Sequence, residues 1–339
     1  MESGVGQPIK CLVICTDPEH SQSLIENLEK MSLYRATVQP ASSLEIAEKY
    51  IADQLFDLIF LDLTTHTLTE TSEIDVKPID LLSQQAPGVP LVGLLQAEQQ
   101  TQYSKVVARG LLDYLVVPNW EVGLLERVVR YALTSKKTTE QIFRLLHFDE
   151  LTGLSNRPLC NDRISQAIIR CERSGQHVAV LFIDLDNFHG INEALGYNVG
   201  DYLLKQIAQR LIGSVRRQDT VARFGGDEFV VVLEGLSNPQ HTTVIAKQIL
   251  RNFSEPFFYD NQPIFISTSI GISVTDTDLM DGQTLLKQSD IARYRAKENG
   301  GNNFQYFVPA MNEIAQKNLN LEIELNQALN RIFGQNSKD

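Results

Sequence analysis

Short apolar runs alternate with amphipathic stretches over the first 135 residues. KCLVIC (10–15), YRATVQ (34–39), FDLIFLDL (56–63), VPLVGLL (89–95) and DYLVV (113–117) are aliphatic or β-branched and close on polar or turn residues, the pattern of buried strands. Between them lie stretches such as SSLEIAEKYIADQL. There Leu44, Ala47, Ile51 and Leu55 recur at spacings of three and four, one face of a helix. Strands alternating with helices predict a five-stranded parallel sheet covered on both faces, a doubly wound α/β domain over 8–135. Functional groups in such a sheet gather at the carboxyl ends of its strands, where Asp62 stands.

Residues 119–148 keep a helical stripe through Leu125, Val128, Ala132, Ile142, Leu145 and Leu146, with no Gly or Pro from 124 to 148. One long helix is predicted, its 136–148 portion a linker. Its interrupted stripe suits a short coiled coil between two subunits; the other reading is an amphipathic helix folded on its own domain.

The second half changes character. HVAVLFIDLD (177–186) is apolar until it ends in carboxylates, a helix is expected at 202–216, and RFGGDEF (223–229) sits between two apolar runs. Glycines supply the positive φ of tight hairpin turns, so a β-hairpin is predicted with Asp227 and Glu228 at its tip. If it lies beside 177–186, Asp184 joins them. Three carboxylates at strand ends need a divalent cation, and hard oxygens suit Mg²⁺, with Mn²⁺ as a substitute. Asp186 is expected to hydrogen-bond local backbone and stands outside this site.

Length and composition narrow the partners. At roughly 150 residues per domain, 339 residues predict two domains. The net charge of −12 disfavours a nucleic-acid polymer but not a single nucleotide held by a metal ion. Cys11, Cys15, Cys160 and Cys171 form no metal-ligand spacing and read as small buried hydrophobes of a reducing compartment. The N-terminus lacks signal-peptide features and no run approaches a membrane span of about 18 apolar residues. A cytoplasmic location away from membranes is expected.

The strand run with GLLDYLVVPNW resembles a response-regulator receiver domain. The resemblance implies Asp62 as phospho-acceptor. Its acidic pair is replaced by Cys15 and Thr16, with Asp17 adjacent; its Ser/Thr by Leu95 or Gln96; its Lys by Val117, before Pro118. A carboxylate attacking a phosphoryl donor needs a divalent ion and a cation beside it. The expected reading is a degenerate receiver kept for packing and dimerisation.

DELTGLSNR (149–157), the FIDLDNF strand end, INEALGYNVGD, GGDEF at Gly225–Phe229 and SDIARYRAKENGGN (289–302) together resemble the GGDEF domain of diguanylate cyclases, over 149–308. The resemblance implies a mixed-sheet, palm-like α+β fold. It implies that two GTP molecules, one per subunit of a homodimer, are joined into cyclic di-GMP with release of pyrophosphate. Asp184, Asp227, Glu228 and the Leu185 carbonyl would hold Mg²⁺, with Glu228 also the base for the 3′-hydroxyl. Backbone amides at Asn187, Phe188 and His189 would cradle phosphates, Lys297 would neutralise the terminal one, and Gly225 and Gly226 would let the backbone approach the nucleotide. Asn192 and Asp201 would read guanine, beside Tyr197; Asn192 has helix capping as its alternative.

This chain departs from the family at His189 (for Lys), Gly301 (for Arg), Tyr197 (for His) and Glu193 (for Asp). Lost phosphate contacts of this kind cost about 1–3 kcal/mol each, so low activity is expected. Arg216 and Asp219 form RxxD, in the family the site of product inhibition by cyclic di-GMP; a surface salt bridge is the alternative. Residues 309–339 look like the connector to a C-terminal EAL domain, making the chain part of a GGDEF–EAL tandem protein, or a helix packed on the GGDEF domain. Two functional readings stay open: a diguanylate cyclase regulated by the receiver-like half, or a catalytically weak module that binds GTP or cyclic di-GMP as a signal.

Overall fold

The alternation of buried strands with capped helices builds two units, Met1–Phe143 and Arg144–Asp339. The structure, a computed structural model, describes residues 6–64, 74–117, 120–275 and 281–312.

In the first unit, β1 (Gln7–Ile14), β2 (Tyr34–Ala41), β3 (Leu58–Asp62), β4 (Leu91–Leu95) and β5 (Leu111–Val116) form one sheet in the order β2-β1-β3-β4-β5. All four pairings are parallel. The helices are α1 (Pro18–Glu29), α2 (Leu44–Asp53), α3 (Lys77–Gln85), α4 (Tyr103–Val107) and α5 (Val122–His147). Asp17 caps α1 by accepting from the Glu19 and His20 amides, with Pro18 preset for the first turn. Every residue of β3 and β4 is buried, as parallel strands between two helical layers must be. Alternate residues of β1 and β3 divide between two cores: Cys11, Val13, Leu58 and Phe60 on one face, Leu12, Ile14, Ile59 and Leu61 on the other. Helix α5 buries Leu125, Val128, Val129, Ala132 and Leu133, and exposes Ile142, Leu145 and Leu146.

The second unit holds α6 (Arg157–Ser174), β6 (His177–Leu185), α7 (Phe188–Leu195), α8 (Tyr197–Gly213), β7 (Thr220–Gly225), β8 (Glu228–Leu236), α9 (His241–Ser254), β9 (Phe257–Tyr259), β10 (Gln262–Ile264), β11 (Thr268–Val274), α10 (Gly282–Glu298) and β12 (Phe304–Tyr306). Its five-stranded sheet runs β12-β11-β6-β8-β7, antiparallel except for β11 with β12. The mixed sheet matches the sequence expectation. The helix expected at 202–216 instead runs from Tyr197 to Gly213, and α7 precedes it.

Side-chain parity decides what each face carries. Ala179, Leu181, Ile183, Phe229 and Val231 pack with α8 and α9, while Val178, Val180, Phe182, Val230 and Val232 pack with α6 and α10. Asp184 and Glu228 continue the second series and so belong to the α10 face. All four cysteines are free and buried, and burial pushes the Cys160 thiol up to about 12. Among the described residues no helix is long and apolar enough to cross a membrane. The expectation for 309–339 lies beyond residue 312 outside the described residues, as does Pro118.

Candidate active site

The site begins at a turn. Gly225 (φ 146°) and Gly226 (φ 50°) take conformations that a side chain would strain, and they reverse the chain between β7 and β8. The next strand residue, Glu228, lies directly opposite Asp184 in the antiparallel ladder of β6 with β8. The Leu185 amide donates to the Asp227 carbonyl at 3.3 Å. Asp184 and Glu228 are thus paired across strands, with Asp227 in the adjoining turn.

Two cations meet this pair from α10. Lys297 is ion-paired with Oδ1 of Asp184, and Arg293 with Oδ2. The Arg293 guanidinium also holds Asp290 at 2.6 Å, comes within 4.0 Å of Glu228, and lies 5.3 Å from the centre of the Phe182 ring. Helix α10 reaches this position because β11 carries Gly271: a Cβ there would stand 1.9 Å from the Ser289 carbonyl oxygen and 2.1 Å from the Arg293 amide nitrogen. Burial pushes the Asp184 carboxyl above the usual carboxylate range against the pull of Lys297 and Arg293. Burial likewise raises Glu228, against the pull of Arg293 and with help from Asp184. Burial works against the charge on Arg293, but Asp290 and Asp184 outweigh it and raise its pKa.

Among the described residues no three His, Cys, Asp or Glu side chains are gathered as a metal site. The donor chemistry nevertheless fits a hard divalent cation. The Asp184 side chain is only 5% exposed, and its Oδ1 has Lys297 nearby but, among the described residues, no aligned hydrogen-bond donor. Glu228 and Asp227 add carboxylates of the same hardness.

Sequence reasoning missed Arg293 and Asp290, although 290, 293 and 297 follow one another by three and four positions on a helical face. It also missed Arg223, which donates to the Gly226 carbonyl at 2.7 and 3.1 Å and to both oxygens of Asp149 at 3.1 Å. That residue fastens the glycine turn to the segment leading into α6. Burial raises Asp149, but bonds from Thr152 and Arg223 overcome it and hold the carboxyl below its ordinary value.

Asp186 corrects an expectation. Its partners are not local: it accepts from the Ser267 and Ser269 hydroxyls and from the Asn302 amide, 81, 83 and 116 residues away. The reason is topological, since β6 ends beside β11 and the loop after α10. Gly301 lies against the same carboxylate.

The other expected residues fall on α7 and α8. Asn187 sits at the N-terminus of α7 with φ 56°, Phe188 is buried, and His189 is exposed and 3.1 Å from Glu193. The Asn192 side chain caps no helix; among the described residues its buried Oδ1 has no hydrogen-bond partner. Tyr197 and Asp201 are exposed on the first turns of α8. Beside Glu228 and Asp290, a cleft of about 570 Å³ opens between α6 and α10, with Arg157, Asn161, Phe224 and Lys287 on its walls.

Arg216 and Asp219 border a separate pocket of about 130 Å³ with His241 and Val244. They do not form the surface salt bridge weighed above. Asp219 accepts instead from the Arg216 and Glu234 amides, leaving the guanidinium without an ion pair among the described residues. In the first unit, Asp62 ends β3, 2% exposed. One carboxylate oxygen accepts from the Cys15 thiol at 3.2 Å, the other from the Thr64 amide and hydroxyl.

Comparison with known proteins places this geometry. Residues 146–303 match the family described as diguanylate cyclase, GGDEF domain. The chain is 37% identical over 217 residues to MucR of Pseudomonas aeruginosa, a bifunctional diguanylate cyclase/cyclic di-GMP phosphodiesterase, covering 64% of this chain and 32% of MucR. It is 38% identical over 176 residues to the diguanylate cyclase TpbB of the same species, covering 52% of this chain and 40% of TpbB. A solved GGDEF domain of TpbB is 35% identical, with a TM-score of 0.49, covering 50% of this chain and 99% of that one. The chain therefore spans less than half the length of these curated relatives. Its second half, built around the glycine turn with Asp184 and Glu228 paired beside it, belongs to the GGDEF domain family.

Proposed function

We propose that this chain is a diguanylate cyclase, condensing two GTP molecules into cyclic di-GMP as a homodimer under the influence of its receiver-like half. The observation that carries the reading is the register pairing of Asp184 with Glu228 beside the glycine turn. Asp184, Asp227, Glu228 and the Leu185 carbonyl would hold Mg²⁺, which when bound neutralises charge developing on phosphoryl oxygens. Glu228 takes the proton of the 3′-hydroxyl, whose oxygen then bonds to the α-phosphorus of the second GTP as pyrophosphate leaves. The amides at Asn187, Phe188 and His189 begin α7 and suit phosphate oxygens. Lys297 supplies a fixed positive charge for the terminal phosphate, and Asn192 and Asp201 read guanine.

The test is the purified chain with Mg²⁺ and GTP, assayed for cyclic di-GMP by chromatography. The expected result is product from the wild type and a rate lower by about 10²-fold or more in Glu228→Gln. A second reading, a module that binds GTP or cyclic di-GMP without synthesis, is favoured by the pairing of His189 with Glu193 and of Asp184 with both Arg293 and Lys297. Calorimetric binding of either nucleotide with no product at high protein concentration supports that second reading.

A further inference from the structure

We infer that Arg293 is a tethered counter-ion: it stabilises the carboxylates of the site when no metal is bound, and it lowers their affinity for a divalent cation. This rests on the reading of Asp184 and Glu228 as metal ligands. The geometry is specific. Asp184 is buried at the end of β6, opposite Glu228, and an isolated charge there is costly unless paired. One guanidinium spans the cluster, bonded to Asp184, within 4.0 Å of Glu228, and anchored to Asp290 by Nε at 2.8 Å and a terminal nitrogen at 2.6 Å. Phe182, two residues before Asp184 on the same sheet face, sets its ring beneath that guanidinium.

Arg293 therefore lies against Asp184 and near Glu228, the two carboxylates that would hold a divalent cation. The anchor on Asp290 lets it leave Asp184 without losing every partner. Lys297 pairs with the other oxygen of Asp184. A divalent ion must displace the guanidinium from Asp184 and tolerate its charge nearby, so Arg293 acts as a positioning residue that sets metal affinity.

The experiment measures Mn²⁺ binding to the full chain without nucleotide, by electron paramagnetic resonance, for wild type, Asp184→Asn, Arg293→Gln, Arg293→Met and Arg293→Lys. Melting of each is followed in EDTA and in excess Mn²⁺. Removing a unit charge a few ångströms from the ion should tighten Mn²⁺ binding about tenfold in Arg293→Gln and Arg293→Met, and Arg293→Lys should restore wild-type binding. The two neutral variants should melt lower than wild type in EDTA and recover in Mn²⁺. Unchanged or weaker Mn²⁺ binding overturns the inference, as does an equal loss of melting temperature in both buffers. If a neutral variant does not fold in EDTA, rescue of its folding by Mn²⁺ supports the inference and absence of rescue overturns it. Should Asp184→Asn bind Mn²⁺ as wild type does, the metal-ligand reading itself fails; weakened binding in Asp184→Asn with no gain in the neutral variants overturns the role of Arg293 alone.

Discussion

Arg223 shows how one side chain holds the glycine turn. Its guanidinium satisfies the Gly226 carbonyl and the part-buried Asp149 carboxylate together, so Arg223→Met removes the charged partner of Asp149 and the donor to an exposed turn carbonyl. The expected cost is about 1–3 kcal/mol, read from the denaturant midpoint, with turnover falling as the turn loosens. The pH dependence has a definite sign. Bonds from Thr152 and Arg223 depress the folded-state pKa of Asp149 despite burial. Its contribution is therefore present above the unfolded value of about 3.9 and is lost as pH falls through the lower folded value. Melting curves should show the gap between wild type and Arg223→Met narrowing below about pH 4; a constant gap would remove Arg223 from the account.

Among elements, the seating of α10 on β11 matters most. The α10 backbone approaches Gly271 too closely for any side chain, and this contact delivers Asp290, Arg293 and Lys297 to the acidic strand ends. Gly271→Ala must push the helix away, at an expected cost of about 1–3 kcal/mol or more. Thermal stability should fall while Mn²⁺ binding tightens, because the displaced helix draws Arg293 away from Asp184; a variant with native melting and native metal binding would show that the helix is seated by other contacts. The hairpin is a contrasting case. Its turn and pairing partner arise from residues close in sequence, and the apolar runs flanking Gly225 and Gly226 already mark it.

For the whole molecule, the two units differ in what engages the carboxylates at their strand ends. In the receiver-like unit both oxygens of Asp62 are engaged by Cys15 and Thr64. Beryllofluoride or acetyl phosphate should therefore leave the oligomeric state unchanged, as read by light scattering; a clear shift would restore Asp62 as a phospho-acceptor. The first sheet was legible from periodicity, because alternation and apolar runs are local consequences of which faces are buried; of the second, periodicity marked the 177–186 strand and the hairpin, and the mixed sheet came from the family resemblance. So were the acids of the site: Asp227 and Glu228 share the glycine turn, and Asp184 closes an apolar strand. The long-range partners were not legible. Asp186 bonds to serines on a distant segment, and Arg293 meets Asp184 across 109 residues. By itself the sequence determined where strands, turns and carboxylates lie, since those depend on neighbours a few residues apart. Only the tertiary structure decided which cations face those carboxylates, because strand register and the approach of α10 at Gly271 set distances that no spacing along the chain encodes.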